Sequence, residues 1–238
     1  MDSAEAVVEA DLDHIVKEAG EAFERIGGKR LLIVGGAGFL GYYLVQGALA
    51  WNRRRPRSSI DVTVFDSYIR GIPDWLADLE GTANLHLARH DITQPLPIGM
   101  PDFDYVIHAG SIASPIYYRR HPIETMDANV GGLRRLLDWS VGRAERGRPI
   151  SGFLFYSSSE IYGDPTPENI PTPETYRGNV SCTGPRACYD ESKRYGETLC
   201  VNFARQHGLP IRMARPFNHY GPGLKITDGR LIPDFARD

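Results

Sequence analysis

Leu31-Leu32-Ile33-Val34 runs directly into Gly35-Gly36-Ala37-Gly38-Phe39-Leu40-Gly41. An apolar strand that turns through glycines into an apolar helix start leaves few folds open. Residues without Cβ let the backbone approach a ligand, and the N–H groups at a helix N-terminus face negative charge. The run predicts a strand, a phosphate-cradling turn and a helix. Gly35, Gly38, Phe39, Leu40 and Gly41 stand at its ligand side.

The context supports this reading. Apolar, β-rich runs recur at 31–34, 61–65, 85–88, 105–109, 153–156 and 211–214. Helical stretches are expected at 39–52, 122–145 and 189–207, with a shorter one near 73–80. Strands alternating with helices predict an α/β Rossmann-type doubly wound parallel sheet, in which ligands bind beyond the carboxyl ends of the strands. Residues 1–28 differ. Val8, Leu12, Ile15, Val16, Ala19, Ala22, Phe23 and Ile26 recur near helical spacing, and Gly27-Gly28 ends the segment. It reads as an amphipathic helical extension, with a nucleotide-binding domain over 29–238. The stretch 163–186, rich in Pro, Gly, Thr and Asn, reads as a long loop.

Acids and small residues follow the strands. Asp66 ends the second strand, where a carboxylate accepts hydrogen bonds from the adenosine ribose and repels a 2′-phosphate, so NAD is expected over NADP. Arg70 is the exception to weigh, because a nearby Arg accommodates that phosphate. Asp91 and Ile92 follow the third strand, at the adenine end; an Asp there also suits a turn. Ala109 and Ser111, after the fourth strand, let a cofactor cross the sheet edge closely. His108 beside them reads as a structural histidine.

The second chemical signal is Tyr189-Asp190-Glu191-Ser192-Lys193. Tyr189 and Lys193 stand one helical turn apart and share a face. An ammonium near a phenol favours phenolate, which takes a proton from a substrate hydroxyl while hydride leaves its carbon. The Tyr-x-x-x-Lys pattern is common by chance; its pairing with the glycine turn gives it weight. Ser158, Ser159 and Glu160 follow the fifth strand. There a hydroxyl can hold an oxygen that becomes a carbonyl, and the acid can serve as acid or base. The bland reading of the same run is a helix N-cap.

Together these residues resemble the extended short-chain dehydrogenase/reductases that act on nucleotide sugars, over residues 29 to 238. The resemblance rests on the glycine run, Asp66, Asp91, Ser-Ser-Ser-Glu-Ile-Tyr-Gly-Asp at 157–164, Arg215-Pro216-Phe217-Asn218 and Tyr220-Gly221-Pro222. Gly184-Pro185-Arg186-Ala187-Cys188-Tyr189-Asp190-Glu191 and Asp228-Gly229-Arg230 look most like UDP-glucuronate decarboxylases. The resemblance implies that bound NAD oxidises the sugar at C4 with Tyr189 as base and Lys193 tuning it. Ser158 would hold the C4 oxygen, and Ser159 and Glu160 would assist decarboxylation or reprotonation. Pro115, Tyr118, Asn218 and Arg230 would bind the nucleotide sugar. It also implies a homodimer through the helices near 122–145 and 189–207. A 4-epimerase, a 4,6-dehydratase and an NAD-binding module without turnover are the alternatives. Two departures stand against the main reading. Asp127 occupies a position where the decarboxylases carry lysine, and the substrate lobe at the C-terminal end is expected to be largely absent.

Bulk properties exclude other classes. A net charge of −3 sets up no global attraction to nucleic acid or anionic membranes. Arg53-Arg54-Arg55 with Arg57 reads as a solvated loop. Three cysteines without metal-ligand spacing argue against a disulfide framework and a metal site, and suit a reducing cytoplasm. The acidic N-terminus does not read as a signal peptide, and no apolar run has membrane-spanning length.

Overall fold

The computed structural model describes residues 3–229 and 231–237. Arg230, expected to bind substrate, lies outside the described residues. The chain forms two compact units: Met1–Ile92 with Leu96–Gly110, and Thr93–Pro95 with Ser111–Asp238.

The first unit begins with α1 (Ala4–Glu18) and α2 (Gly20–Ile26). The single helix expected over 1–28 is therefore two, interrupted at Ala19, just before Gly20. Gly is the poorest helix former after Pro, and it sits where the break falls. Then come β1 (Arg30–Val34), α3 (Phe39–Arg54), β2 (Asp61–Asp66), α4 (Asp74–Ala77), β3 (Leu85–Arg89) and β4 (Tyr105–His108). All pairings are parallel: β1 lies between β2 and β4, and β2 pairs with β3. The chain moves outward from β1 to β3 and then returns to the other side of β1 for β4. That reversal is the switch point of a doubly wound sheet.

The core of this unit joins β1 and β2 to α3 through Leu31, Ile33, Val45, Leu49, Val62 and Val64. Leu12 and Val16 of α1 belong to the same core, and Phe23 of α2 stacks on Trp51 of α3 at 5.6 Å. Tyr43 donates a hydrogen bond to Asp11. Two arginines of the cluster at the end of α3 are paired with acids of α1: Arg53 with Glu9 and Arg54 with Asp13.

The second unit contains α5 (Pro115–Arg120), α6 (Pro122–Met126), a π-helical segment (Asp127–Gly132), α7 (Leu133–Glu145), β5 (Gly152–Tyr156), α8 (Ala187–His207), β6 (Ile211–Ala214) and α9 (Leu231–Arg237). The helix expected over 122–145 is thus interrupted by a π segment containing Gly131 and Gly132. Strands β5 and β6 pair in parallel. Leu133, Leu136, Leu137, Phe153, Phe155 and Cys200 are buried. Helix α8 starts after Gly184-Pro185, carries Arg205 and His207 in its last turn, and stops at Gly208, which is left-handed at φ 68°. Basic residues at a helix C-terminus and a left-handed glycine after it are both favourable. The loop 163–186 has one short 3-10 turn, Pro167–Asn169, and a single bridge, Gly163 to Asn179.

Candidate active site

In the first unit the glycine turn is built for close approach. Gly35 has φ 83°, and a Cβ there would lie 2.5 Å from the backbone of Gly110. A Cβ on Gly41 would lie 2.2 Å from the carbonyl oxygen of Gly36, so the first turn of α3 sits directly against the turn. No side chain caps α3 at Gly38, so its first N–H groups are not satisfied by a cap. The second strand delivers Asp66 to this turn. One carboxylate oxygen accepts from Ala37 N at 3.0 Å and the other from Tyr68 N at 2.9 Å. Burial pushes the Asp66 carboxyl up, and these backbone N–H groups pull it back down. Asp91 is exposed and Ile92 buried, both just past β3. Ala109 follows β4, and its N–H continues the ladder to Val34 O at 2.9 Å. Arg70 is exposed.

These features fit a dinucleotide: a cradle that a Cβ would fill, an uncapped helix N-terminus and an acid tied to the turn. Among the described residues no cluster of His, Cys, Asp or Glu could hold a metal ion.

In the second unit, Ser111 leaves a buried hydroxyl with no hydrogen bond among the described residues. The first two turns of α8 present Tyr189 and Lys193, both buried. Lys193 Nζ donates to the carbonyl of Tyr156 at 2.8 Å and stands 5.6 Å from the centre of the Tyr189 ring. Burial pulls the Lys193 ammonium down to about 7. Behind Tyr189 the π segment carries Asn129, fully buried, whose amide donates to Ser192 Oγ at 2.8 Å. Ser192 Oγ in turn donates to the Tyr189 carbonyl at 2.9 Å. A π turn inside a helix often marks a functional position, and here it anchors the Tyr189 backbone.

Ser157, Ser158, Ser159 and Glu160 follow strand β5. Ser158 Oγ accepts from Glu160 N at 3.2 Å, so it caps the 3-10 turn Ser159–Tyr162. The capping reading of this run therefore holds for Ser158. Glu160 forms an ion pair with Arg186, whose Nε is 3.8 Å from Asp190 Oδ2. Arg186 and Asp190 were not singled out by sequence reasoning. Their partner Glu160 lies 26 residues upstream of Arg186 across an irregular loop, and no spacing rule connects the two.

Tyr118, expected on the sugar side, is 2% exposed and stacks on the Tyr189 ring at 5.2 Å and 15°. Burial pushes its phenol up. Pro115 opens α5 as its first residue. Asn218 is exposed in the segment after β6. That segment is fastened by Arg215, which holds both carboxylate oxygens of Glu197 at 2.8 and 2.7 Å. Arg215 also donates to Tyr162 Oη and to the Glu174 carbonyl, each at 2.8 Å. Asp127 is exposed in the π segment.

A phosphate-cradling turn on a doubly wound sheet, in a chain that also carries a buried Tyr-Lys pair, defines the class of Rossmann-fold nucleotide-binding proteins with short-chain dehydrogenase character. The family model described as the NAD dependent epimerase/dehydratase family matches residues 31–238, and the chain belongs to that family. It is 44% identical over 207 residues to UDP-glucuronic acid decarboxylase 5 of Arabidopsis thaliana, covering 87% of this chain and 55% of that protein. It is 38% identical to UDP-glucuronic acid decarboxylase 1 of Xenopus tropicalis, over 87% of this chain and 45% of that one. The chain thus spans about half the length of the curated relatives it matches. In fold it is similar to a UDP-N-acetylglucosamine 4-epimerase from Methanobrevibacter ruminantium solved with UDP-N-acetylmuramic acid. That match has a TM-score of 0.72 at 24% identity and covers 88% of this chain and 62% of the other. It is also similar to a dTDP-glucose 4,6-dehydratase from Streptomyces venezuelae, with a TM-score of 0.69 at 25% identity, over 87% and 61% of the two chains. Among the described residues no helix is long and apolar enough to cross a membrane.

Proposed function

We propose that this chain works on a nucleotide sugar by transient oxidation at C4, and that its substrate is UDP-glucuronate, which it decarboxylates. The observation that carries the reading is the placement of Glu160, with its arginine partner, in the same unit as the buried Tyr189–Lys193 pair. The relatives named UDP-glucuronic acid decarboxylase support the choice of sugar acid.

In this reading Gly35, Gly38, Phe39, Leu40 and Gly41 hold the pyrophosphate of NAD, and Asp66 takes its ribose. Asp91 and Ile92 face the adenine, and Ala109 and Ser111 admit the cofactor past the sheet edge. NAD held there would supply a reversible hydride acceptor for C4. Tyr189 Oη takes the proton of the C4 hydroxyl. Burial weakens the Lys193 ammonium, and a phenolate forming beside it would favour its charged form. Ser158 holds the C4 oxygen. The 4-keto sugar acid is a β-keto acid and loses its carboxylate as CO2, with Ser159 and Glu160 assisting that loss or the reprotonation. Pro115, Tyr118, Asn218 and Arg230 contact the nucleotide sugar. The N-terminal extension over 1–28, a Rossmann domain over 29–238 with the start of a substrate-binding part, a homodimer and a cytoplasmic setting complete the proposal.

Incubation with UDP-glucuronate, followed by mass spectrometry, tests it. The expected product has lost CO2 and matches UDP-xylose. A product of unchanged mass would make the chain an epimerase. NAD binding with no product from any UDP-sugar would leave a binding module.

A further inference from the structure

Asp190 is the one acid of the α8 first turn that the proposed chemistry leaves unused. It is 7% exposed, and its Oδ1 has no hydrogen-bond partner among the described residues. Its Oδ2 lies 3.8 Å from Arg186, which is already ion-paired with Glu160. Glu160, Asp164, Asn179, Ser181, Arg186 and Asp190 line a cleft of about 380 Å3. Two carboxylates thus share a single guanidinium at the wall of a cleft that could admit a sugar.

The arrangement matters for charge. Glu160 and Asp190 bring two negative charges to one positive group. A sugar acid in the cleft would add a third carboxylate, and like charges at short range favour protonation of one of them. Burial pushes the Asp190 carboxyl up against the pull of Arg186, so the pair of acids is poised to take it. The other groups that act on it are Glu191 and Cys188 on its own helix and Tyr118 on α5. None of these brings a second full positive charge as near as Arg186.

Resting on the decarboxylase reading, we propose that Asp190 is a positioning residue that acts through Arg186 on Glu160. Entry of the anionic sugar makes the Glu160–Arg186–Asp190 cluster take up a proton, which it releases to C5 after CO2 has left. Decarboxylation of a carboxylate consumes a proton, so the site needs such a store. The C5–C6 bond breaks and its electron pair stays as an enolate on the C4 oxygen. CO2 departs, and a C5–H bond then forms with the stored proton. Both carboxylates of the cluster end ionised. Because the two acids are coupled through one guanidinium, the proton belongs to the pair rather than to either residue.

Calorimetry in buffers of different ionisation enthalpy reads the proton directly. The full chain is used in a Tyr189→Phe background, which blocks turnover. UDP-glucuronate is expected to bind with uptake of about one proton and UDP-xylose, which lacks the carboxylate, with none. Asp190→Asn should abolish the uptake while UDP-xylose still binds. Arg186→Gln should reduce it too, because without the cation the two carboxylates already share a proton before the sugar enters, and it covers the case in which Asp190→Asn fails to fold. Equal proton exchange with the two sugars would overturn the proposal, as would undiminished uptake in both variants. UDP-glucuronate that binds without uptake, yet is turned over by the Tyr189-intact chain, would sink the proton store alone. Failure to bind either sugar would sink the substrate reading and the proposal with it.

Discussion

At the scale of the residue, the chemistry turns on how Tyr189 and Lys193 share protons. Replacing Tyr189 by Phe removes the proton acceptor but keeps the ring stacked on Tyr118. Turnover should fall by roughly 10^2–10^4-fold, with bound NAD retained in the purified protein. Undiminished turnover would remove Tyr189 from the base role. Lys193 makes a separate prediction about stability. Its folded pKa, about 7, lies below its ordinary 10.5, so between those values the unfolded chain binds more protons. The sign follows: its contribution is fully present above 10.5 and is lost as pH falls toward 7. Thermal melts of wild type and Lys193→Met should therefore converge on the alkaline side and separate toward pH 7, with wild type the less stable. A pH-independent gap would contradict the burial argument.

At the scale of the element, the glycine turn is the least tolerant part. Gly35→Ala asks an L-residue to hold φ 83° with its Cβ pressed on Gly110. Strain of that kind costs about 1–3 kcal/mol, and chemical denaturation together with NAD content of the purified protein would read both effects. Among the described residues, all six strands were legible in the sequence, to within a residue at either end, because each is a short apolar run between turn signals. Helix α5 was not. Six residues starting at Pro115 are too few to display a helical period. The π segment was hidden for a related reason. Its residues lie between α6 and α7 in one continuous helical stretch of sequence, and the contact of buried Asn129 with Ser192 joins positions 63 residues apart. The site was legible where motifs are local, as at Gly35–Gly41 and Tyr189–Lys193. It was not legible where two segments distant in sequence meet, as at Glu160–Arg186 and Arg215–Glu197.

At the scale of the molecule, the N-terminal helices are part of the first unit rather than an appendage to it. Leu12 is fully buried in the core that β1 and α3 share, so Leu12→Ala should cost about 2–5 kcal/mol, a penalty a loosely attached tail would not impose. Equilibrium urea unfolding would read it, and a change near zero would detach α1 from that core. The same burial bears on how the protein would be degraded. Peptide bonds inside α1 are cut only when the helix opens, and opening α1 uncovers the apolar face of α3 that it covers. Resistance of this leading segment to a protease should therefore track the global folding free energy, and a ligand bound at the glycine turn should slow its clipping without touching it.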